Sequence, residues 1–150
     1  MIIETSRLVM HAADKQALQV MKIHQYNNGQ EVTNHIKELA VDASLLGWGS
    51  WLVFRKFDEA LIGDAGFKGK PNSRKEVEVG YGFLEAYWGM GYATEAVGGL
   101  IDWAFQTSTV EKVIAETDYD NAASIRVLEK NQMKKTHEAA GMVYWELTER

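Results

Sequence analysis

Two glycines one residue apart, in Tyr87-Trp88-Gly89-Met90-Gly91-Tyr92-Ala93-Thr94-Glu95-Ala96, run straight into a segment whose apolar residues repeat at helical spacing. Ala93, Ala96, Val97, Leu100, Ile101, Ala104 and Phe105 fall on one face and predict a helix from about Tyr92 to Gln106. A helix start leaves N–H groups without intrahelical partners and carries partial positive charge, and glycine removes the side chains that would keep a diphosphate away. The junction therefore suits a phosphate seat, although an isolated Gly-x-Gly is more often an ordinary turn into a helix. Gly98 and Gly99 each cost about 1 kcal/mol relative to alanine in a helix interior. Close packing against a neighbouring strand is the preferred reason for them, with a poorly optimised exposed face as the alternative.

Before the bend, Glu76-Val77-Glu78-Val79-Gly80-Tyr81-Gly82-Phe83 alternates as a strand. Val77, Val79, Tyr81 and Phe83 share one face, and Glu78, Gly80 and Gly82 share the other. Two missing side chains beside one carboxylate leave bare backbone for the close approach of a ligand. Taken alone, the strand favours a blander reading, a wet face carrying a solvated Glu78.

Ser6 to His11 predicts a first strand, and Asp14 can cap a helix with Ala17, Leu18, Met21 and Ile23 as its apolar positions. A weaker helix spans about Glu31 to Asp42. Gly47 to Lys56, Leu61 to Lys68 and Lys75 to Leu84 follow as strands joined by short turns, which implies an antiparallel meander. Beyond the glycine helix, Lys112 to Thr117 is a strand whose long connection sets it parallel to the one ending at Leu84. Asn121 can cap a helix holding Ile125 and Leu128, and Met133 to Glu138 pairs with Met142 to Leu147 around Ala139-Ala140-Gly141. No internal repeat, linker or low-complexity tract interrupts residues 1–150, which are expected to form a single domain.

A chain of 150 residues that is 46% hydrophobic can bury a substantial core. Its net charge of −5 argues against nonspecific binding to nucleic acid, which needs a basic face. Lys68, Lys70, Arg74 and Lys75 flank Pro71-Asn72-Ser73 and fit a solvated hairpin turn. With no cysteine there is no disulfide, no thiolate metal site and no cysteine nucleophile. His11, His24, His35 and His137 are scattered without metal-ligand spacing and are treated as surface or boundary residues; no metal is expected. The N-terminus carries no secretory signal or apolar span, so the expected location is cytoplasmic and no membrane partner is expected. Gly47-Trp48-Gly49-Ser50-Trp51 has the wrong order for a Gly-x-Ser-x-Gly nucleophile elbow.

Taken together, these segments resemble the GNAT superfamily of acetyl-coenzyme A-dependent N-acetyltransferases, and in particular its ribosomal-protein N-terminal acetyltransferases. The resemblance runs from Glu4-Thr5-Ser6-Arg7-Leu8, through Ile62-Gly63 and Gly66-Phe67, to Asn121-Ala122-Ala123-Ser124-Ile125-Arg126-Val127-Leu128-Glu129-Lys130, and is most specific from Leu61 to Lys130. It implies an α/β (α+β) fold with a mixed, mostly antiparallel sheet of roughly six or seven strands, splayed between strands 4 and 5 and flanked by about four helices. The family's Arg/Gln-x-x-Gly-x-Gly/Ala turn corresponds to Trp88-Gly89-Met90-Gly91-Tyr92-Ala93, departing at its first position. The resemblance assigns the acetyl-CoA pyrophosphate to Met90, Gly91, Tyr92, Ala93 and Thr94, backbone contacts to the pantetheine arm to Phe83 and Leu84, and a further contact to Asn121.

The resemblance also gives the face bearing Glu78 a purpose, since a carboxylate there could accept the amine proton through water. Ser124 sits where the subgroup places a hydroxyl near the sulfur. Many members use a tyrosine four residues further on, where this chain has Leu128. Asn121 and Ser124 are equally an ordinary helix cap and first-turn residue. Asn131-Gln132-Met133 replaces the family's usual Leu-Gly-Phe. The implied reaction is direct attack of a primary amine, on a small molecule or a peptide or protein N-terminus, upon the acetyl thioester; assembly as a homodimer is left open. Two other readings use the same glycines: a non-catalytic acyl-CoA sensor, and a dinucleotide-binding oxidoreductase, the latter disfavoured because Gly89-Met90-Gly91-Tyr92-Ala93-Thr94 ends in threonine and lies after a meander.

Overall fold

The computed structural model describes residues 1–148. Its strands are β1 (Ile2–Glu4), β2 (Leu8–Ala12), β3 (Ser50–Arg55), β4 (Leu61–Phe67), β5 (Glu76–Phe83), β6 (Lys112–Asp118), β7 (Lys134–Ala139) and β8 (Met142–Thr148). The helices are α1 (Ala17–Ile23), α2 (Gln30–Val41), α3 (Tyr92–Gln106) and α4 (Ala122–Lys130). The eight strands form one sheet in the order β1-β2-β3-β4-β5-β6-β8-β7. All neighbours are antiparallel except β5 and β6, which run parallel across the α3 connection as the chain's spacing predicted.

The eighth strand is β1, paired with β2 through Ile2–His11, Ile3–Met10 and Glu4–Val9. It escapes a reading of pattern because three residues are too few to show alternation. The predicted first strand also shifts, because Thr5 N–H bonds to the Leu8 carbonyl and turns Ser6-Arg7 into a bend. In α1 only Ala17 and Met21 are buried, whereas Leu18 and Ile23 face outward at 46% and 67% exposure.

α3 buries Tyr92, Ala96, Val97, Leu100, Ile101 and Ala104 against the sheet. Its glycines are close-packing positions, though the neighbours are not a single strand. A Cβ on Gly98 would lie 3.0 Å from Asn131 Oδ1, at the end of α4, and one on Gly99 would lie 3.1 Å from Ile3 and from Thr5. His35 is buried on α2 because Gly49 leaves it room: a Cβ on Gly49 would overlap the imidazole. Burial pushes the His35 imidazole below its ordinary value. The basic turn is more than solvated, since Lys68 pairs with Glu78 at 2.8 Å and Lys70 with Asp42 at 3.0 Å.

What places the site is the meeting of β4, β5 and β6. The β4–β5 ladder takes up most of both strands, with Gly63, Asp64, Ala65, Gly66 and Phe67 opposite Phe83, Gly82, Tyr81, Gly80 and Val79. The β5–β6 ladder joins only Glu76–Lys112, Val77–Val113 and Glu78–Ile114, and both strands run on past it. A Cβ on Gly63 would come within 2.7 Å of both the Gly82 carbonyl and the Phe83 ring. Gly63→Ala is therefore expected to displace the end of β5 and cost about 1–3 kcal/mol, the usual price of overpacking, measured by urea denaturation.

Candidate active site

The bend after β5 is built for exposed main-chain amides. Gly89 and Gly91 both take left-handed φ, +75° and +81°, and Gly91 is the N-cap of α3 without any side-chain cap. The first intrahelical bond is Glu95 N–H to the Gly91 carbonyl, so the amides of Tyr92, Ala93 and Thr94 lack helical acceptors. A Cβ at Gly89 would touch nothing within 4 Å, so its glycine answers to backbone conformation alone.

Arg7 braces this bend from the start of β2. Its Nη1 donates to the Met90 carbonyl at 2.9 Å, its Nε donates to Glu95 Oε1 at 2.7 Å, and its guanidinium lies 4.4 Å over the Tyr92 ring. Thr5 Oγ1 and the Arg7 amide both donate to Glu95 Oε2. Burial works against the charge on Glu95, yet these donors together hold its carboxyl below the ordinary value. The cation thus stands beside the bend, next to where a Cβ on Gly91 would sit.

A groove of about 780 Å³ runs from the bend along β5 to the first turns of α4. Phe83, Gly91, Tyr92, Ala93, Thr94, Asn121 and Ser124 line it, so seven sequence-predicted residues meet in one place. Gly89, Arg126 and Lys130 also line it. Met90, Leu84 and Glu78 stand apart from its walls. Met90 is half exposed and contributes its carbonyl to Arg7. Leu84 has both main-chain groups committed, its N–H to the Ile62 carbonyl and its carbonyl to the Tyr87 N–H, each at 2.9 Å.

Phe83 keeps one main-chain group free for a ligand. Its carbonyl accepts the Trp88 indole N–H at 2.7 Å. Glu78 and Leu84 bond to β4 through Lys68 and Ile62, so in the alternating ladder the amides of Tyr81 and Phe83 point to the opposite, unpaired edge. Ser124 is fixed twice, its N–H capped by Asn121 Oδ1 at 3.1 Å and its Oγ accepting the Tyr81 hydroxyl at 3.0 Å. Burial raises the Tyr81 phenol above its ordinary value, against the effect of Ser124. Leu128, one turn beyond Ser124, is buried in the core.

Glu78 lies on the other face of β5. With Ile114, Glu116, His137, Tyr144 and Glu146 it lines a separate cavity of about 370 Å³. The Glu78 interaction with Lys68 holds the ammonium above its ordinary value, burial opposing. On the same face Tyr26 donates to buried Asp64 at 2.5 Å. Burial pushes the Asp64 carboxyl up to about 6, the Tyr26 hydrogen bond opposing and Glu31 reinforcing the rise.

A family model described as the acetyltransferase (GNAT) domain matches residues 6–134. The chain belongs to the GNAT acetyltransferase family. It is 29% identical to the uncharacterized N-acetyltransferase YjdG of Bacillus subtilis (strain 168) over 96% of both chains, and 26% identical to the uncharacterized N-acetyltransferase p20 of Bacillus licheniformis over 85% of this chain and 72% of that one. Among solved structures, an acetyltransferase (GNAT family) from Bacillus anthracis aligns over 99% of this chain and 98% of its own with TM-score 0.73 and 21% identity. The ribosomal L7/L12 alpha-N-protein acetyltransferase RimL in complex with coenzyme A aligns over the same shares with TM-score 0.76 and 16% identity, a likeness of fold. The GNAT fold expected from the sequence is present, with eight strands in place of six or seven. As a GNAT enzyme the chain is an acetyl-CoA-dependent acyltransferase.

The residues present fit that substrate: the uncapped α3 amides and the two glycines of the bend suit a diphosphate, with Arg7 beside the bend and Arg126 and Lys130 lining the groove as positive charge. Sequence reasoning missed Arg7, Tyr81, Arg126 and Lys130 as parts of this GNAT site. Tyr81 was assigned to the apolar face by its alternation with Val77, Val79 and Phe83; nothing local signals that its hydroxyl reaches α4. Among the described residues no helix is long and apolar enough to cross a membrane, and no group of three or more acidic or histidine side chains could hold a metal ion.

The raised Asp64 carboxyl has a stability consequence. Between its ordinary 3.8 and about 6, the folded chain binds more proton than the unfolded chain, so stability falls as pH rises through that interval. The whole effect is about 3 kcal/mol. Asp64→Asn should flatten this slope in denaturation series from about pH 4 to pH 6.5.

Proposed function

We propose that this GNAT enzyme transfers the acetyl group of acetyl-CoA to a primary amine by direct attack, with no acetyl-enzyme intermediate. The carrying observation is the convergence of the uncapped α3 amides, the free edge of β5 and the Tyr81–Ser124 hydroxyl pair in one groove. The amides from Gly91 to Thr94, with Met90 shaping the bend, hold the diphosphate. The main chain at Phe83 lies along the pantetheine arm, and its N–H is the donor placed to polarise the thioester carbonyl and hold its oxyanion, while Leu84, with both main-chain groups bonded within the protein, secures the end of β5. Bound acetyl-CoA supplies the acyl group already activated as a thioester.

Ser124 protonates the departing thiolate. Because its oxygen accepts from Tyr81, its own hydrogen is free to turn toward the sulfur, and Tyr81 can replace the proton that Ser124 gives up. Asn121 fixes the backbone of Ser124. Glu78 takes the amine's proton through water from the opposite side of β5. Attack needs the neutral amine, and an α-amine of pKa about 7.7–8.0 is roughly one-tenth neutral at pH 7, whereas a lysine at 10.4 costs about 4–5 kcal/mol to deprotonate. This favours α-amines or activated small amines, in keeping with the α-N-protein acetyltransferases among the structural neighbours. Direct aminolysis of a thioester requires no metal, and the cytoplasm is the expected compartment.

An acceptor screen that follows thiol release across peptides, polyamines, amino acids and aminoglycosides tests this reading; binding of acetyl-CoA with no transfer to any of them would favour the sensor. Against the best acceptor, Ser124→Ala and Glu78→Gln should each lower kcat about a hundredfold while leaving acetyl-CoA affinity nearly unchanged. Tyr81→Phe should fall between these and wild type. Arg7→Ala should weaken acetyl-CoA roughly tenfold, about 1.4 kcal/mol by calorimetry, without a comparable loss in kcat.

A further inference from the structure

The groove does not stop at the face shared by Tyr81 and Phe83. Its lining includes Gly82, which belongs to the opposite face of β5, and Asn28, from the connection between α1 and α2. Asn28 Nδ2 stands 3.1 Å from the position a Cβ on Gly82 would occupy, so the carboxamide rests on bare strand. The groove therefore wraps the unpaired edge of β5 and reaches the Glu78 side beneath Asn28.

Behind Asn28 lies a polar pair that the proposed mechanism leaves unused. Asp64 faces Gly82 across the β4–β5 ladder, and Tyr26 comes from the same connection as Asn28. Both are nearly enclosed, Asp64 at 6% and Tyr26 at 8% exposure, and the Tyr26 hydroxyl donates to Asp64 Oδ2 at 2.5 Å. An ionised carboxylate only accepts, so Tyr26 must spend its single proton on Asp64 and keep only lone pairs for its other neighbour. That neighbour is Asn28: its Nδ2 is the one heavy atom within 4 Å of the Gly82 Cβ position, so the NH2 and not the oxygen is turned toward the strand that Asp64 faces, and while burial and Asp64 push the Tyr26 phenol well above its ordinary value, the Asn28 side chain opposes them.

We infer that Asn28 engages the acceptor's amine nitrogen, its carboxamide held with the oxygen toward the groove by a one-way chain from Asn28 to Tyr26 to Asp64. The inference rests on the proposed acetyl transfer. With its NH2 turned to the strand, the side chain has Oδ1 left to offer as a hydrogen-bond acceptor to the groove that Asn28 lines. An attacking amine can donate one N–H there while its lone pair faces the thioester carbon. As the N–C bond forms, nitrogen gains positive charge and its N–H becomes a stronger donor, so the contact tightens toward the transition state. Tyr26 and Asp64 are positioning residues: they act by fixing which end of the carboxamide faces out.

The chain's direction depends on Asp64 being ionised. Glu31 of α2 and the Tyr26 phenol are the titratable groups acting on that carboxyl, while Leu52 of β3 and Gly82 of β5, its ladder partners, carry no charge. Once Asp64 is protonated its O–H can donate to Tyr26, and Tyr26 can turn its own hydrogen to Asn28, reversing the amide.

Two readouts on the full chain test this. In nitrogen-15 spectra of the protein alone, the Asn28 side-chain NH2 signals should move as pH crosses about 6 and stay still in Tyr26→Phe; signals that stay still in wild type would overturn the chain. In transfer assays with spermidine and with a short peptide bearing a free N-terminal alanine, Asn28→Ala should lower kcat/KM for the amine about tenfold, with acetyl-CoA affinity unchanged. Gly82→Ala, which crowds the carboxamide by a few tenths of an ångström without touching Tyr26 or Asp64, should shift amine KM in the same direction. Wild-type kinetics in both variants would remove Asn28 from the acceptor site. If wild type acetylates neither probe, that result counts against the proposed transfer to amines of these classes, and the spectra alone decide the hydrogen-bond chain.

Discussion

Half of one strand edge goes without a partner, and the active site follows from that. β5 is bonded to β4 along most of its length but to β6 only through Glu78, so the amides of Tyr81 and Phe83 are turned outward with no strand to receive them. Unpaired main-chain groups inside a sheet are costly unless something else satisfies them. The chain answers part of the demand itself, folding Trp88 back so that its indole meets the Phe83 carbonyl. The rest is left for a ligand, and the adjoining glycine bend adds the uncapped amides of α3 at the same end of the strand. Strand edge and helix start thus form one continuous run of donors.

The part of this site that could be read from sequence is the part carried by the backbone. Glycine spacing at Gly89 and Gly91, alternation along β5, the α3 apolar face and the Asn121 cap are local patterns, and each recurs in the structure with bounds within a residue or two. Contacts between side chains distant in sequence were illegible. Arg7 reaches Met90 and Glu95 more than eighty residues away, Tyr81 reaches Ser124, and Tyr26 reaches Asp64. None of these has a period or a neighbouring partner to announce it, and Tyr81 was masked by sitting in register with valines. Strand β1 was missed for a different reason: three residues are held by pairing with β2, not by their own pattern.

Leu128 and Tyr81 divide packing and polarity around Ser124 between a helix and a strand. A side chain at that position of α4 points into the core and is buried with the α3 face, so an apolar residue there strengthens packing but brings no hydroxyl. The phenol comes instead from Tyr81, across the groove, and meets Ser124 from the strand side. Tyr81 is held by the β4 ladder on one side and meets the Phe83 ring edge-on on its own face. Ser124 in turn is gripped at its amide by Asn121, so both members of the hydroxyl pair are constrained before a ligand arrives.

Charge is partitioned by the same strand. The chain carries a net charge of −5, yet the groove is bordered by Arg7 at the bend and lined by Arg126 and Lys130. The carboxylates Glu78, Glu116 and Glu146 line the cavity on the other face of β5. In solution, exposed charges are screened over a Debye length of about 8 Å at physiological ionic strength, so what a ligand feels is the local set and not the total. On that far face Lys68 pairs with Glu78 and Lys112 with Glu146, so its carboxylates are partly neutralised within the fold, whereas Arg126 and Lys130 line the groove on the other side of β5. The bare positions Gly80 and Gly82 leave that face of the strand to Lys68 and Asn28, the side chains that a Cβ at each would meet.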